Sequence, residues 1–228
     1  PLSQGGLKVI RAGTGHTAWS MKMTPAIATA TSPSRLPWRT AVLAVGGGLV
    51  YLLPGVAEYF IYDRSAIFSG EIWRLVTGHV VHYSPSHLAY NLMAFAAVGA
   101  IIELQASRRL LPLCTVSALL IGISLLGFRP DLHYFAGASG VVTAAVAYCA
   151  LSGLSVSGPW RILCLVVLLL LIGKIALELF WSGSSLVGIT GEFVVVPLSH
   201  AVGAVSGLLM FAWWRRRKES TGDLGSDQ

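Results

Sequence analysis

The chain has 228 residues, of which 54% are hydrophobic and only 11% charged. Soluble domains usually carry about 25% charged residues, so this composition excludes a water-soluble globule. The net charge of +6 sits largely at the ends of apolar runs, which argues against a nucleic-acid partner and for a lipid bilayer.

Residues 1–36 are polar and rich in Gly, Ser, Thr and Pro, and the first Met residues are Met21 and Met23. This stretch is expected to be a disordered tail, partly vector-derived or read from an overextended frame, and to hold no removable signal peptide. Six apolar runs follow, at about 38–57, 87–105, 110–128, 137–153, 161–180 and 194–214. A crossing takes roughly 20 helical residues, so the expected fold is all-α, a polytopic membrane protein with a six-transmembrane-helix bundle over residues 37–217. The fourth run is short for a full crossing. Segment 58–86 is too long for a simple turn, and within it Ile67–Val81 is amphipathic and bears Trp73, as expected of a helix lying in the interface. Cys114, Cys149 and Cys164 fit no zinc spacing and read as small core residues. No metal or cofactor is expected.

Basic residues decide the orientation. With the N-terminus inside, the inner segments hold twelve of the sixteen Lys and Arg, including Arg108, Arg109 and the run Arg215–Lys218. The outer segments hold three: Arg64, Arg74 and Arg129. Both termini are therefore expected in the cytoplasm, with 218–228 as a cytoplasmic tail.

Polar residues inside spans are costly and usually functional. His87 and Asn91 open the second span four residues apart, on one helical face. Both side chains can donate hydrogen bonds, as an oxyanion hole requires, although an interhelical polar clasp would use the same groups. Ser139 lies in Gly137-Ala138-Ser139-Gly140 at the start of the fourth span. Small clusters of this kind also serve as helix-packing surfaces. His200 is followed by Gly203 and Gly207 along one face of the sixth span. If that face meets the small surface beginning at Ser139, the two side chains reach the geometry of a Ser–His nucleophile. The other reading of each histidine is a side chain bonded to a nearby carbonyl. Depth joins the four groups: spans two, four and six all descend from outside, and each carries its polar residue near its start.

Taken together these motifs resemble the rhomboid family of intramembrane proteases, whose six-helix core residues 37–217 would cover. The resemblance is carried by Trp73-Arg74, His87-x-x-x-Asn91, Gly137-Ala138-Ser139-Gly140 and His200-x-x-Gly203-x-x-x-Gly207, with His82 matching a first-loop histidine and Glu103 a glutamate lower in span two. It implies a Ser139–His200 dyad without an acid, and an oxyanion hole made of His87, Asn91 and the Ser139 backbone N–H. It also implies that Arg74 braces the first loop, that Glu103 bonds to loop backbone, and that 182–194 is a mobile cap over the site. Within the family the chain is similar to the rhombosortases, through the Trp-Arg-Leu-x-Thr-Gly-His run at 73–79 and Lys174-x-x-x-Glu178 in span five. Lys174 and Glu178 are a turn apart and can pair, either as an ordinary stabilising contact or in a subfamily role.

That likeness implies cleavage of membrane-anchored proteins with a Gly-Gly tail, a C-terminal hydrophobic helix and a basic end, in the inner membrane of a Gram-negative bacterium. The acyl-enzyme would be resolved by water or by another nucleophile. Three competing readings are a general rhomboid protease of other single-span substrates, an inactive rhomboid-like client binder, and a small transporter. The second should lack Ser or His at the motif positions, and the third should spread its polar groups over several depths.

Overall fold

The apolar runs fold as helices, described for residues 36–180 and 196–222 in this computed structural model. Helix α1 (Trp38–Leu52) starts after Pro37 and stops ahead of Pro54 and Gly55, whose φ is +76°. Proline lacks the N–H needed to continue a helix, so α1 ends five residues before the expected limit of 57. The first loop then folds in short pieces: α2 (Val56–Phe60), β1 (Tyr62–Asp63), α3 (Arg64–Phe68), α4 (Arg74–Thr77) and a 3₁₀ turn (Gly78–Val80).

The continuous amphipathic helix expected over 67–81 is therefore absent. Asp63 caps α3, its carboxylate accepting from the Ser65 and Ala66 N–H groups at 2.9 and 3.1 Å. Gly70 then leaves helical space with φ +108°, a conformation that favours glycine.

Helix α5 (Pro85–Phe128) begins with Ser84 as N-cap, its Oγ accepting from the His87 N–H at 3.2 Å, and with Pro85 at the first helical position. Ala106, at φ −157° and ψ 69°, breaks it into limbs 85–105 and 107–128. Strand β2 (Tyr134–Phe135) pairs antiparallel with β1, Tyr62 opposite Phe135 and Asp63 opposite Tyr134. This small ribbon, unforeseen in an all-α reading, ties the first loop to the segment leading into Ser139. Helices α6 (Ser139–Gly153), α7 (Pro159–Phe180) and α8 (Pro197–Gly222) follow.

Residues 218–222, expected in the tail, continue α8, where Arg215 and Glu219 pair one turn apart at 3.2 Å. The tail over 1–35 and the cap at 182–194 lie outside the described residues.

Helix α6 is the centre of the bundle. Residues 140–145 are all buried, and α5, α7 and α8 each pack against it. At 1.5 Å per residue its 15 residues span about 22 Å, less than a ~30 Å hydrocarbon core. Gly203 and Gly207 of α8 rest on it so closely that a Cβ at either would overlap the carbonyls of Gly140 and Ala144. Missing side chains thus draw the two backbones together.

One apolar cluster, with Phe95, Ile102, Leu113 and Tyr148, lies toward the Ala106 break. A second joins Tyr62 and Phe135 of the ribbon to Ile121, Leu125 and Val141, anchoring the ribbon next to the start of α6. The outer surface is apolar as well. Helix α7 exposes Ile162, Leu163, Leu169, Leu170 and Ile172, which water would penalise and lipid would not. Helices α5 and α7 are long and apolar enough to cross a membrane, and α1 and α6 are shorter apolar helices.

Candidate active site

Ser139 is the first residue of α6, entered through Gly137 at φ +131°. Helix-first residues leave their N–H groups without an intrahelical acceptor, and Ser139 occupies that position. Gly137 is gripped from the first loop, donating its N–H to the Gly78 carbonyl at 3.2 Å. A Cβ at Gly137 would lie 2.7 Å from His87 Cε1, so only glycine lets the His87 ring lie over this turn.

His200, in the first turn of α8, is 6% exposed. Its Nε2 lies 2.9 Å from Ser139 Oγ, the contact that a Ser–His nucleophile needs. The close approach of Gly203 to Gly140 makes this possible, since His200 and Gly203 share a helical face.

The other ring nitrogen departs from the acid-free dyad that the resemblance implies. His200 Nδ1 is 2.6 Å from Glu178 Oε2, and the other carboxylate oxygen accepts from Lys174 Nζ, also at 2.6 Å. Residues 174 and 178 were legible as a pair, but Glu178 also reaches across to α8. The available signal was an acid inside an apolar run, itself a functional-site indication.

His87 and Asn91 stand on one face at the start of α5. Asn91 Nδ2 donates to the His87 carbonyl at 2.9 Å, which uses one of its two N–H groups and leaves the second. His82 is buried and meets the His87 ring edge to face at 5.1 Å.

The supporting residues bind the first loop. Arg74 Nη1 donates to the Glu58 and Ile61 carbonyls at 2.7 and 2.9 Å, and its Nε to Glu71 at 2.6 Å. Trp73 Nε1 donates to the Tyr59 carbonyl at 3.3 Å. Among the described residues, Glu103 meets helix backbone rather than loop backbone. Its carboxylate accepts from the N–H groups of Arg39 and Thr40, at 3.0 and 2.8 Å, and so caps the first turn of α1. Those N–H groups have no intrahelical acceptor, and a carboxylate suits the positive end of the helix dipole.

His79 closes the run at 73–79, but no role was assigned to it from sequence. It is buried, with Nδ1 at 3.3 Å from the Gly137 carbonyl and Nε2 at 3.1 Å from the Ala118 carbonyl, so it bridges the loop, α5 and the turn before Ser139. Burial pushes His79 down to about 4, and burial with the His87 charge pushes His82 down to about 4. Both are lowered below the unfolded value near 6.5, so the unfolded chain binds more protons between these limits. Stability should therefore fall as pH drops from about 6.5 to 4. Thermal melts in detergent at pH 7.5 and 5 should show the loss, and His79→Gln with His82→Gln should flatten that pH dependence. Equal slopes in both proteins would refute the assignment.

Comparison with known proteins places the chain among relatives. The Rhomboid domain family matches residues 69–217. The chain is 32% identical over 149 residues to the rhomboid protease GlpG of Serratia proteamaculans, covering 65% of this chain and 50% of that protein. It is 32% identical over 157 residues to GlpG of Yersinia pestis, covering 66% and 51%. With the rhomboid protease GluP of Bacillus subtilis it shares 36% identity over 94 residues, 40% of this chain and 18% of that protein. The chain thus spans about half the length of the GlpG relatives. A match over most of the chain, taking in the later part of the first loop, Ser139 and His200, means that this protein belongs to the rhomboid family.

Proposed function

We propose that this protein is an intramembrane serine endopeptidase that cleaves single-span, membrane-tethered proteins near the outer membrane face. The observation that carries the reading is the 2.9 Å contact between His200 Nε2 and Ser139 Oγ at the start of a central helix. Ser139 Oγ attacks the scissile carbonyl while His200 takes its proton, and the tetrahedral intermediate collapses to an acyl-enzyme. His87, Asn91 and the Ser139 N–H stabilise the oxyanion, each donor contributing about 100–1000-fold in rate. Retention of both Ser139 and His200 speaks against an inactive client binder.

The chain crosses the membrane six times with both termini in the cytoplasm, as the twelve-to-three basic asymmetry supports. The short α6 then begins below the outer surface, open to water from that side.

The substrate class rests on the rhombosortase likeness of residues 73–79 and of Lys174 with Glu178. An exported protein with a Gly-Gly tail before its anchoring helix fits the site physically. Each glycine costs about 1 kcal/mol in helix propensity relative to alanine, so that segment unwinds readily into an outer-half site. Co-expression with a tailed reporter, followed by mass spectrometry of the released C-terminus, tests this. Cleavage at Gly-Gly should fall at least tenfold when the pair becomes Ala-Leu. Equal cleavage of the two reporters would leave a general rhomboid protease of single-span substrates and remove the sorting role.

A further inference from the structure

The Ser139–His200 contact continues into α7 as a chain of three polar groups. Glu178 is 3% exposed at its side chain and His200 7%, so the carboxylate faces the imidazole with little water between them. We propose that Glu178 is a positioning residue that turns the pair into a Ser139–His200–Glu178 triad, with Lys174 holding the carboxylate. This rests on the protease reading above and extends it.

The tautomer follows from donors and acceptors. An ionised carboxylate only accepts, so a 2.6 Å approach of Glu178 Oε2 requires a proton on His200 Nδ1. The imidazole then has its lone pair on Nε2, which faces the Ser139 hydroxyl at 2.9 Å. That is the tautomer able to take the serine proton. Lys174 Nζ lies 3.1 Å from Nδ1 and would favour the opposite tautomer, because an ammonium can only donate. Glu178 wins by the shorter contact, and it also neutralises Lys174 through Oε1 at 2.6 Å.

During acylation the Ser139 O–H bond breaks and its proton moves to Nε2, while Oγ–C forms and the carbonyl electron pair moves to oxygen. His200 becomes an imidazolium whose Nδ1–H still donates to Glu178. Collapse breaks the C–N bond, and the leaving amine takes the proton from Nε2. Glu178 therefore stabilises charge that exists only after the proton has moved, and its loss should lower kcat rather than raise KM. Lys174 opposes the same charge. Among the described residues, the titratable or charged groups facing His200 are Glu178 and Lys174 from α7, Ser139 from α6 and His87 from α5.

The experiment is the pH profile of reporter cleavage, with fluorophosphonate labelling of Ser139, in the wild type and four variants of the full chain. Glu178→Gln alone strands Lys174 beside a buried site and risks misfolding, so it is compared with Lys174→Met and with the double variant. Lys174→Met removes a cation from beside Nδ1 and should move the acid limb to higher pH. Adding Glu178→Gln in that background should lower kcat about 100–10,000-fold at constant KM and move the acid limb back down. Glu178→Asp, which keeps the charge, should retain more activity than Glu178→Gln. A folded double variant with the kcat and acid limb of Lys174→Met would reduce Glu178 to a structural ion pair and overturn the triad. Failure of the wild type to label at Ser139 is a separate result: it removes the protease reading, and the triad with it.

Discussion

Ser139→Ala and His200→Ala should each lower reporter cleavage by about 10⁴-fold or more while the protein remains folded. Ser139 is at a helix start, and His200 is held by polar contacts to Ser139 and Glu178. The loss is chemical, since without Oγ there is no acyl-enzyme, and without Nε2 the hydroxyl keeps its proton at neutral pH. Members of such a unit are not additive, because each is useless without the other. The double variant should therefore be no slower than either single one. A twofold effect from either substitution, with unchanged melting, would contradict the assignment.

Gly203→Val should be the most damaging single change to the fold. A Cβ at Gly203 falls inside the Gly140 carbonyl, which is backbone and has no rotamer through which to yield. Helices α6 and α8 must separate, at an expected cost above about 3 kcal/mol, in the upper range for overpacking. The same movement lifts His200 from Ser139, so any folded fraction should be inactive too. Gly173 is the control, because a Cβ there meets nothing within 4 Å. Gly173→Val should melt within a few degrees of the wild type, whereas Gly203→Val should give little folded protein in detergent. Equal melting curves would show that the α6–α8 contact is looser than described.

The long helices were legible because each is an apolar run, and the candidate site because four polar groups fall near the starts of alternate runs. Helix α1 stops short of residue 57 owing to Pro54 and Gly55, a local signal that hydropathy averaging smooths over. The first loop was misread for a different reason. Its pieces are set by Gly70 and by a ribbon whose partners, Tyr62 and Phe135, lie far apart in sequence, so no local window contains the cause. The role of His79 was hidden in the same way, its partners being the Gly137 and Ala118 carbonyls.

Glu178 shows where pattern reading stops. The spacing of Lys174 and Glu178 announces an ion pair on one helix, and that pair is present. Spacing cannot show that the second carboxylate oxygen crosses to His200 on α8, because that depends on how α7 and α8 pack. Glu103 is a parallel case. The acid was singled out, but its partners are the opening N–H groups of α1, more than sixty residues away.

Whether Ser139 is a nucleophile activated by His200 is read directly by a fluorophosphonate probe. Purified protein in detergent should gain one phosphonyl adduct, mapped by mass spectrometry to the peptide containing Ser139. Labelling should vanish in Ser139→Ala and fall at least a hundredfold in rate in His200→Ala. An adduct on another residue, undiminished labelling of Ser139→Ala, or a labelling rate indifferent to His200 would contradict the account.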